Sequence, residues 1–479
     1  MFIRRPGSFK NLFILLFVLL FLMNGGLTAS ASDWPLPAPD KINYAPLDFK
    51  LPKMERITLN NGIVLYLLEN HDLPLININA LIKTGTIYDP EGKEGTGELT
   101  AYLMRTGGTA KFNSTEIDNL LDFMGASASI TMSRESAQFH FSVLSNDIER
   151  GLELLAEMLI HPVFEKDKFE LARELKNEEL RRIKDNPQKL AFREFNRLIY
   201  HNDPRGRFPS IKSLKNINRE DLLKFHSRFF APDNMMFAIS GDLTKDEAVN
   251  KINEYFGKWN KRMMAVDEPP VPEKSKTGVF VIDKEMTQST LVRGQFTADK
   301  SGADFHAFNV LDFIIGGGGF TSRIPALVRS HEGLAYSAGS FYAARPTYGV
   351  FGVYTFTKTK STLQANDLID SVLENIKSGT ITEKEIDWAK KSINNGFIFS
   401  FTTPEDIVWQ QMNVEYDKLP SDFLDNYRDK IHNVTIEDLN KVANKYLNKE
   451  RNVILILGDS KNFDKSFKKS AFTLITPED

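Results

Sequence analysis

The sequence repeats itself at a fixed offset of 217 residues, and this repeat restricts the folds open to the chain. The clearest match joins Asp221-Leu222-x-Lys224 to Asp438-Leu439-x-Lys441. The same offset, without a gap, pairs Phe164 with Ile381, Ala172 with Ala389, Glu220 with Glu437, Phe229 with Tyr446, Ile239 with Ile456, and Gly241-Asp242 with Gly458-Asp459. One register held over this distance predicts two copies of one structural unit, each ending in a helix, an apolar strand and Gly-Asp.

A length of 479 residues also favours two or three domains over a single core. We predict a first domain at residues 51–262, a linker at 263–277 that contains Pro269, Pro270 and Pro272, and a second domain at 278–465. Each copy mixes strand and helix patterns without strict alternation, which is typical of the α+β class.

Local patterns place the elements of the first copy. Asn60-Asn61-Gly62 lies between two apolar runs and predicts a hairpin turn. Apolar periodicity predicts helices at 96–105, 114–124, 147–159 and 166–184, and strands at 126–132 and 137–143.

The N-terminus has the pattern of a secretory signal peptide at residues 1–31. Arg4, Arg5 and Lys10 precede a short apolar run at 12–23, and Ala29-Ser30-Ala31 matches a cleavage site. We therefore expect an exported protein, in the periplasm, with no membrane span once the signal is removed. An uncleaved membrane anchor is the alternative.

Composition excludes several classes of site. The chain has no cysteine, so disulfides, thiol nucleophiles and thiolate metal sites are ruled out. A net charge of -3 without a basic surplus argues against nucleic acid as a partner.

The stretch Gly316–Tyr336 carries the candidate binding residues. Four glycines lead into a helical run that contains Arg329, and Tyr336 follows where the pattern turns to strand. An arginine and a tyrosine so spaced can point into one groove and hold peptide carbonyls or a carboxylate. The alternative is a helix-terminal arginine with a core tyrosine, and for the glycines a simple helix-entry loop.

These residues resemble the pitrilysin/insulinase-like zinc metallopeptidases, which include the mitochondrial processing peptidase. The segment SRIPALVRSHEGLAYS is similar to that family's substrate-binding segment, and FELARELKNEELRRIKDNP resembles its long helix. The resemblance implies two similar domains, each an antiparallel sheet packed with helices, that close as a clamshell over an extended peptide. It also implies that Arg329 and Tyr336 bind substrate.

The family's inverted zinc motif, His-x-x-Glu-His, is absent from this chain. Its positions hold Glu98, Ala101 and Tyr102 in one alignment, or Leu99, Tyr102 and Leu103 in another. No histidine occurs between His71 and His140. We therefore predict no metal ligand, no catalytic residue and no cofactor bound by this chain.

Glu179 and the histidines are the other candidate zinc ligands. Glu179 lies where the resemblance places the family's distal zinc glutamate, but without histidine partners we expect a solvated carboxylate beside Arg181 and Arg182. The eight histidines are scattered and share no metal-binding spacing, although His331 lies between Arg329 and Tyr336.

The resembled enzymes often pair a zinc-bearing chain with a zinc-less one. We therefore predict a non-catalytic subunit that binds peptide substrate while a zinc-bearing homologous partner hydrolyses it. The alternative is a stand-alone peptide-binding or scaffolding protein without hydrolytic activity.

Overall fold

The structure is a computed structural model that describes residues 50–52, 54–261, 270–272, 274–465 and 472–477. The predicted signal peptide and part of the predicted linker lie outside the described residues. The chain divides into Met1–Lys50, nearly all of it undescribed, and Leu51–Asp479, to which all features below belong. No helix among the described residues is long and apolar enough to cross a membrane.

The first sheet is built from six strands: β1 (Glu55–Thr58), β2 (Val64–Glu69), β3 (Leu75–Ile82), β4 (Ser127–Met132), β5 (Ala137–Leu144) and β6 (Met235–Gly241). Their order across the sheet is β1-β2-β6-β3-β5-β4. β1 and β2 form the predicted hairpin, in which Gly62 takes a φ of 99° that favours glycine. Only the β2–β6 pair in this sheet is parallel.

The second sheet has the strands β7 (Gly278–Asp283), β8 (Gln288–Thr297), β9 (Ala335–Ala344), β10 (Gly349–Lys358), β11 (Val453–Gly458) and β12 (Thr473–Leu474). Their order is β12-β7-β11-β8-β10-β9. Apart from β1 and β12, both sheets share one order and one set of strand directions. The α+β prediction of two homologous domains is therefore confirmed. The sheets are mixed rather than wholly antiparallel, because β6 and β11 return after long helical stretches to lie parallel to β2 and β7.

Helices fill the sequence between the strands of each copy. The first copy has α1 (Thr96–Thr106), α2 (Ser114–Met124), α3 (Ile148–Ile160), α4 (Lys166–Ile183), α5 (Pro187–Ile199), α6 (Ile211–Asn216), α7 (Arg219–Phe229) and α8 (Lys245–Phe256). The second copy has α9 (Phe305–Asp312), α10 (Thr362–Lys377), α11 (Glu383–Ile398), α12 (Pro404–Tyr416), α13 (Phe423–His432) and α14 (Ile436–Tyr446). The starts of α4, α5 and α7 precede those of α11, α12 and α14 by the repeat offset of 217 residues.

The two copies exchange one helix each. Helix α5 packs on β8 and β11 of the second sheet, and helix α12 packs on β2 and β6 of the first. The buried side chains of α5 include Leu190, Phe195 and Leu198, and those of α12 include Val408 and Met412. Both helices begin with a capping side chain followed by proline at the first position, Asn186-Pro187 and Thr403-Pro404. Each exchanged helix thus forms a further hydrophobic cluster with the other copy's sheet.

Polar contacts reinforce the exchange. The guanidinium of Arg56 on β1 donates to both carboxylate oxygens of Glu415 on α12, at 2.5 and 2.7 Å. The β4–β5 turn contacts the β9–β10 turn, where the Tyr348 hydroxyl donates to Glu135 at 3.1 Å. Arg205, which is almost fully buried, donates to the same carboxylate at 2.8 Å. These charged hydrogen bonds hold residues of both copies together.

Candidate functional site

The segment between α9 and β9 contains the residues that the sequence singled out. It has two π-helical turns, Phe313–Gly317 and Pro325–His331. The predicted helical run that contains Arg329 is present, and it is π-helical rather than α-helical. The backbone N–H of Glu332 bonds to the Leu327 carbonyl five residues back, at 3.0 Å, while Ile324 and Val328 stay fully buried. Single π-helical turns occur frequently at functional sites.

Arg329 and Tyr336 lie side by side, as predicted. The Cζ atom of Arg329 is 5.7 Å from the centroid of the Tyr336 ring and 4.2 Å from that of Phe320. Tyr336 is 84% exposed and Phe320 68% exposed, so the alternative of a core tyrosine is wrong. The arrangement is a guanidinium against two exposed rings, with hydrogen-bond donors available to a ligand.

Phe320 was missed by the sequence analysis. It directly follows the glycine run, nine positions before Arg329, and no periodic pattern links it to the arginine. The sequence signal for it was an aromatic residue directly after a glycine run.

Close packing explains the glycine run. A Cβ atom on Gly316 would lie 2.4 Å from the Ser340 backbone nitrogen of β9, and one on Gly318 would lie 2.4 Å from the Trp388 ring. These residues must be small because the loop lies directly against β9 and α11. The run therefore positions the arginine–tyrosine pair through packing.

Arg323 anchors the same segment to α11. Its guanidinium makes two hydrogen bonds with Glu385, at 2.7 and 2.9 Å, and another with the Thr380 carbonyl at 2.8 Å. Burial opposes ionisation of Glu385, but hydrogen bonds from Arg323 and Thr382 lower its pKa to about 2. The carboxylate is thus ionised at neutral pH, and the ion pair holds the loop in place.

A buried carboxyl group lies under the loop. Asp312 at the end of α9 is 8% exposed and accepts a hydrogen bond from the Ser340 hydroxyl at 2.6 Å. Burial raises the pKa of Asp312 to about 7, against the effect of this hydrogen bond.

Tyr336 stands at the start of an edge strand. Among the described strands, β9 pairs only with β10, and β4 at the edge of the first sheet pairs only with β5. An edge strand presents backbone N–H and C=O groups to which an extended peptide can add. The arginine–tyrosine pair is therefore next to a surface of the kind that binds extended peptides.

The positions of the family's zinc motif lie on α1. Glu98 is half-buried and Tyr102 is 47% exposed, whereas Ala101, Leu99 and Leu103 are 1%, 3% and 0% exposed. The structure thus favours the alignment that places Glu98, Ala101 and Tyr102 at the motif.

A lysine links the two carboxylates at this place. The ammonium nitrogen of Lys176 on α4 lies 2.6 Å from Oε2 of Glu98 and 2.9 Å from Oε2 of Glu179. Burial opposes its charge, but the Glu98 carboxylate raises the pKa of Lys176. Glu179 is an exposed helix carboxylate, as expected, but it pairs with Lys176 rather than with Arg181 or Arg182, and Arg182 bonds to Glu178 at 2.7 Å.

This set of side chains does not fit a zinc ion. Zinc sites of this kind use imidazole nitrogens, and α1 offers only a carboxylate and a phenol. The ammonium group of Lys176 adds a positive charge between the two carboxylates that remain. Within the described part of the chain, no three His, Cys, Asp or Glu residues are grouped closely enough to hold a metal. His331 is exposed and pairs with its neighbour Glu332 at 2.9 Å.

Comparisons with known proteins agree with this architecture. A model of the insulinase family (peptidase family M16) matches residues 66–208, and a model of the peptidase M16 inactive domain matches residues 216–393. The first covers α1 and the altered zinc motif, and the second covers Arg329 and Tyr336.

Individual relatives match along most of the chain. The zinc protease YmxG of Bacillus subtilis is 22% identical over 84% of this chain and 98% of its own length. The beta subunit of the mouse mitochondrial-processing peptidase is 23% identical over 85% of each chain.

Solved structures show the same fold. A crystal structure of a peptidase M16 inactive domain from Pseudomonas fluorescens has a TM-score of 0.78, at 24% identity over 85% of this chain and 98% of its own. A protease from Helicobacter pylori has a TM-score of 0.76, at 22% identity over 85% of this chain and 100% of its own. The predicted resemblance is confirmed: the chain belongs to the M16 family of insulinase-like peptidases and contains that family's inactive domain.

Proposed function

We propose that this chain is a non-catalytic, peptide-binding subunit of a zinc metallopeptidase, and that a homologous partner chain carries the zinc. The observation that carries the proposal is the lysine bridge from Glu98 to Glu179. The Lys176 ammonium lies between Glu98 and Glu179, the positions that the family resemblance assigns to a zinc histidine and to the distal zinc glutamate, and the imidazole ligands are missing.

The arginine–tyrosine pair supplies the binding role in this proposal. The guanidinium of Arg329 offers a planar set of donors, and the Tyr336 hydroxyl can donate or accept. Both can hold carbonyl groups of an extended peptide that runs along the edge of β9. Because Phe320 stacks on the guanidinium at 4.2 Å, the donors are held in place before a peptide arrives.

In a complex with a zinc-bearing partner, such donors would orient the scissile region and stabilise the negative charge that develops on its carbonyl oxygen. The proposal includes export to the periplasm, which rests on the signal-peptide pattern at residues 1–31.

Peptide binding by the purified chain tests the proposal. We expect fluorescence anisotropy with a labelled extended peptide to show binding that Arg329→Gln weakens about tenfold, the effect of losing a charged hydrogen bond. Arg329→Lys should weaken binding less. The control His331→Gln removes an exposed neighbour that does not contact the rings and should leave affinity unchanged.

Equal affinity in Arg329→Gln and the unmodified chain would contradict the assigned site. Peptide binding that requires Arg329, in a chain that never associates with a zinc-bearing homologue, would instead favour the stand-alone binding protein.

A further inference from the structure

A second concave site lies in the second copy. A cavity of about 480 Å³ opens between the loop before α9 and the helices α13 and α14. Its lining includes Lys300, His306, Phe423, Lys430, Asn433 and Lys441. A cavity of this size is in the range of sites for small ligands.

Some charged groups of the cavity lining form ion pairs and others do not. Lys300 bonds to Asp417 at 2.7 Å, and Asp304 accepts from Lys445 at 2.6 Å. The carboxylate of Asp438 accepts from the backbone N–H of Thr435 at 3.0 Å, as part of the cap of α14.

Lys430 and Lys441 complete the charged lining, and neither has an ion-pair partner among the described residues. The cavity thus presents two ammonium groups without an ion-pair partner against one carboxylate, Asp438, that pairs with no lysine among the described residues, and Lys441 also lowers the pKa of Asp304. The lining is left with a net positive charge. An anionic group is the natural complement of such a surface.

His306 adds a polar atom that the protein leaves without a partner. Its Nε2 atom is buried and makes no hydrogen bond within the described part of the chain. Burial, and then the nearby charge of Lys430, lower the pKa of His306 to about 4, so the ring is neutral at pH 7. Because Nε2 is shielded from the cavity, the ring contributes an uncharged wall, and its NMR signals report on a ligand that packs beside it.

In the first copy, an ion pair lies at the corresponding place. Asp221 is the repeat partner of Asp438 and caps α7 in the same way. There, Lys93 from the loop before α1 bonds to both carboxylate oxygens of Asp221, at 2.6 and 2.7 Å. In the second copy the loop lysine, Lys300, forms an ion pair with Asp417 instead. Asp438 forms no ion pair with a lysine among the described residues.

The remaining walls are apolar. Pro420, Phe423, Val434 and Val442 line the cavity beside the two lysines. A ligand that matches both parts has a negatively charged end and an apolar body.

We propose that this cavity, which we name the α13–α14 pocket, binds a carboxylate with an apolar body, its charge held by Lys430 and Lys441 and its body packed beside Phe423 and the His306 ring. The carboxylate belongs either to a small organic acid or to the C-terminus of a peptide with an apolar last residue. This proposal does not rest on the role of Arg329.

The test is binding of N-acetylphenylalanine to the full chain, measured by calorimetry and by the NMR signals of labelled histidine rings. N-acetylphenylalaninamide has the same body without the charge. A hexapeptide that ends in phenylalanine, as free acid and as amide, distinguishes the two sources of the carboxylate. We expect the acids to bind and to shift the His306 signals, and the amides to bind at least tenfold more weakly.

Lys430→Gln and Lys441→Gln should each weaken acid binding about tenfold. Lys224→Gln is the matched control, because Lys224 is the repeat partner of Lys441 in the first copy and should have no effect. Binding of only one acid would support the pocket and identify the source. Equal binding of acid and amide, no shift at His306, or acid binding unchanged in both lysine variants would overturn the proposal. Arg329→Gln should leave acid binding unchanged, so this result is independent of the peptide-binding test.

Discussion

The ammonium nitrogen of Lys176 lies 2.6 Å from Oε2 of Glu98 and joins α4 to α1 at the altered zinc motif. In this chain an ion pair links the helix that carries the altered zinc motif to the helix that carries Glu179. The central claim is that a partner carries out hydrolysis. It rests on this ion pair, which stands where the family resemblance expects zinc ligands, in a chain that has the fold of the family.

Restoring the two histidines should not be sufficient to restore tight zinc binding. In Glu98→His/Tyr102→His, the Lys176 ammonium still lies beside Glu179 and repels a divalent cation. Adding Lys176→Ala should tighten zinc binding about tenfold or more, a size typical of outer groups around metal ligands. Competition with a chromogenic chelator measures the affinity.

Lys166→Ala is the control for that experiment, because Lys166 is an exposed lysine on the same helix. If the double variant binds zinc equally well with Lys176 present and absent, the lysine does not interfere with metal binding.

Phe320 should contribute to peptide binding indirectly, by holding the Arg329 guanidinium in place. Phe320→Ala removes the ring that stacks on Arg329, and loss of a cation–π contact at an exposed site costs about 0.5–1 kcal/mol. We expect peptide affinity to fall about threefold, less than in Arg329→Gln, in the same anisotropy assay. A larger loss than in Arg329→Gln would assign the main contact to the phenyl ring instead.

The helix exchange predicts that the two copies unfold together. Phe195→Ala on α5 and Met412→Ala on α12 change repeat partners that are 1% and 0% exposed, each on the other copy's sheet. Large-to-small changes of this kind cost about 2–5 kcal/mol. Urea unfolding followed by circular dichroism and tryptophan fluorescence should show one transition, shifted to lower urea in both variants.

Gln188→Ala, on the exposed face of α5, is the control and should leave that transition unchanged. Two separate transitions, with Phe195→Ala and Met412→Ala affecting different ones, would mean that the exchanged helices do not couple the copies.

The stability of the loop that carries Arg329 should depend on pH through Asp312. Its pKa is raised to about 7 from an ordinary value of 3.8, so the folded chain binds the extra proton. The associated stability is complete below about pH 4 and is lost as pH rises through about 7. Asp312→Asn stays neutral, so it should be more stable than the unmodified chain at pH 8 by about 2–4 kcal/mol.

At pH 4 the two proteins should unfold at similar urea concentrations, because Asp312 is then protonated in the folded chain and its ionisation in the unfolded chain, with a pKa of 3.8, contributes little free energy. An advantage of Asp312→Asn that is the same at pH 4 and pH 8 would show that ionisation of this group is not responsible.

Much of the fold was predictable because it depends on local and periodic signals. The offset that pairs Asp221 with Asp438 predicted the duplication, and Asn60-Asn61-Gly62 predicted the first hairpin. The proximity of Arg329 and Tyr336 followed from their spacing around a helix end and a strand.

The exchange of α5 and α12 was not predictable, since an apolar helix face does not reveal which of two similar sheets it covers. The bridge from Lys176 to Glu98 was missed because it joins residues 78 positions apart through the tertiary fold. The charged pattern of α4 suggested only a solvated face. The π-helical turns depend on hydrogen bonds that no sequence period encodes.

The most direct test of the central claim is affinity purification of the tagged chain from its own cells, followed by peptide cleavage with and without a chelator. We predict that a homologue with His-x-x-Glu-His co-purifies and that the chelator abolishes cleavage. Chelator-sensitive cleavage by this chain alone, with one tightly bound zinc ion per chain, would contradict the account.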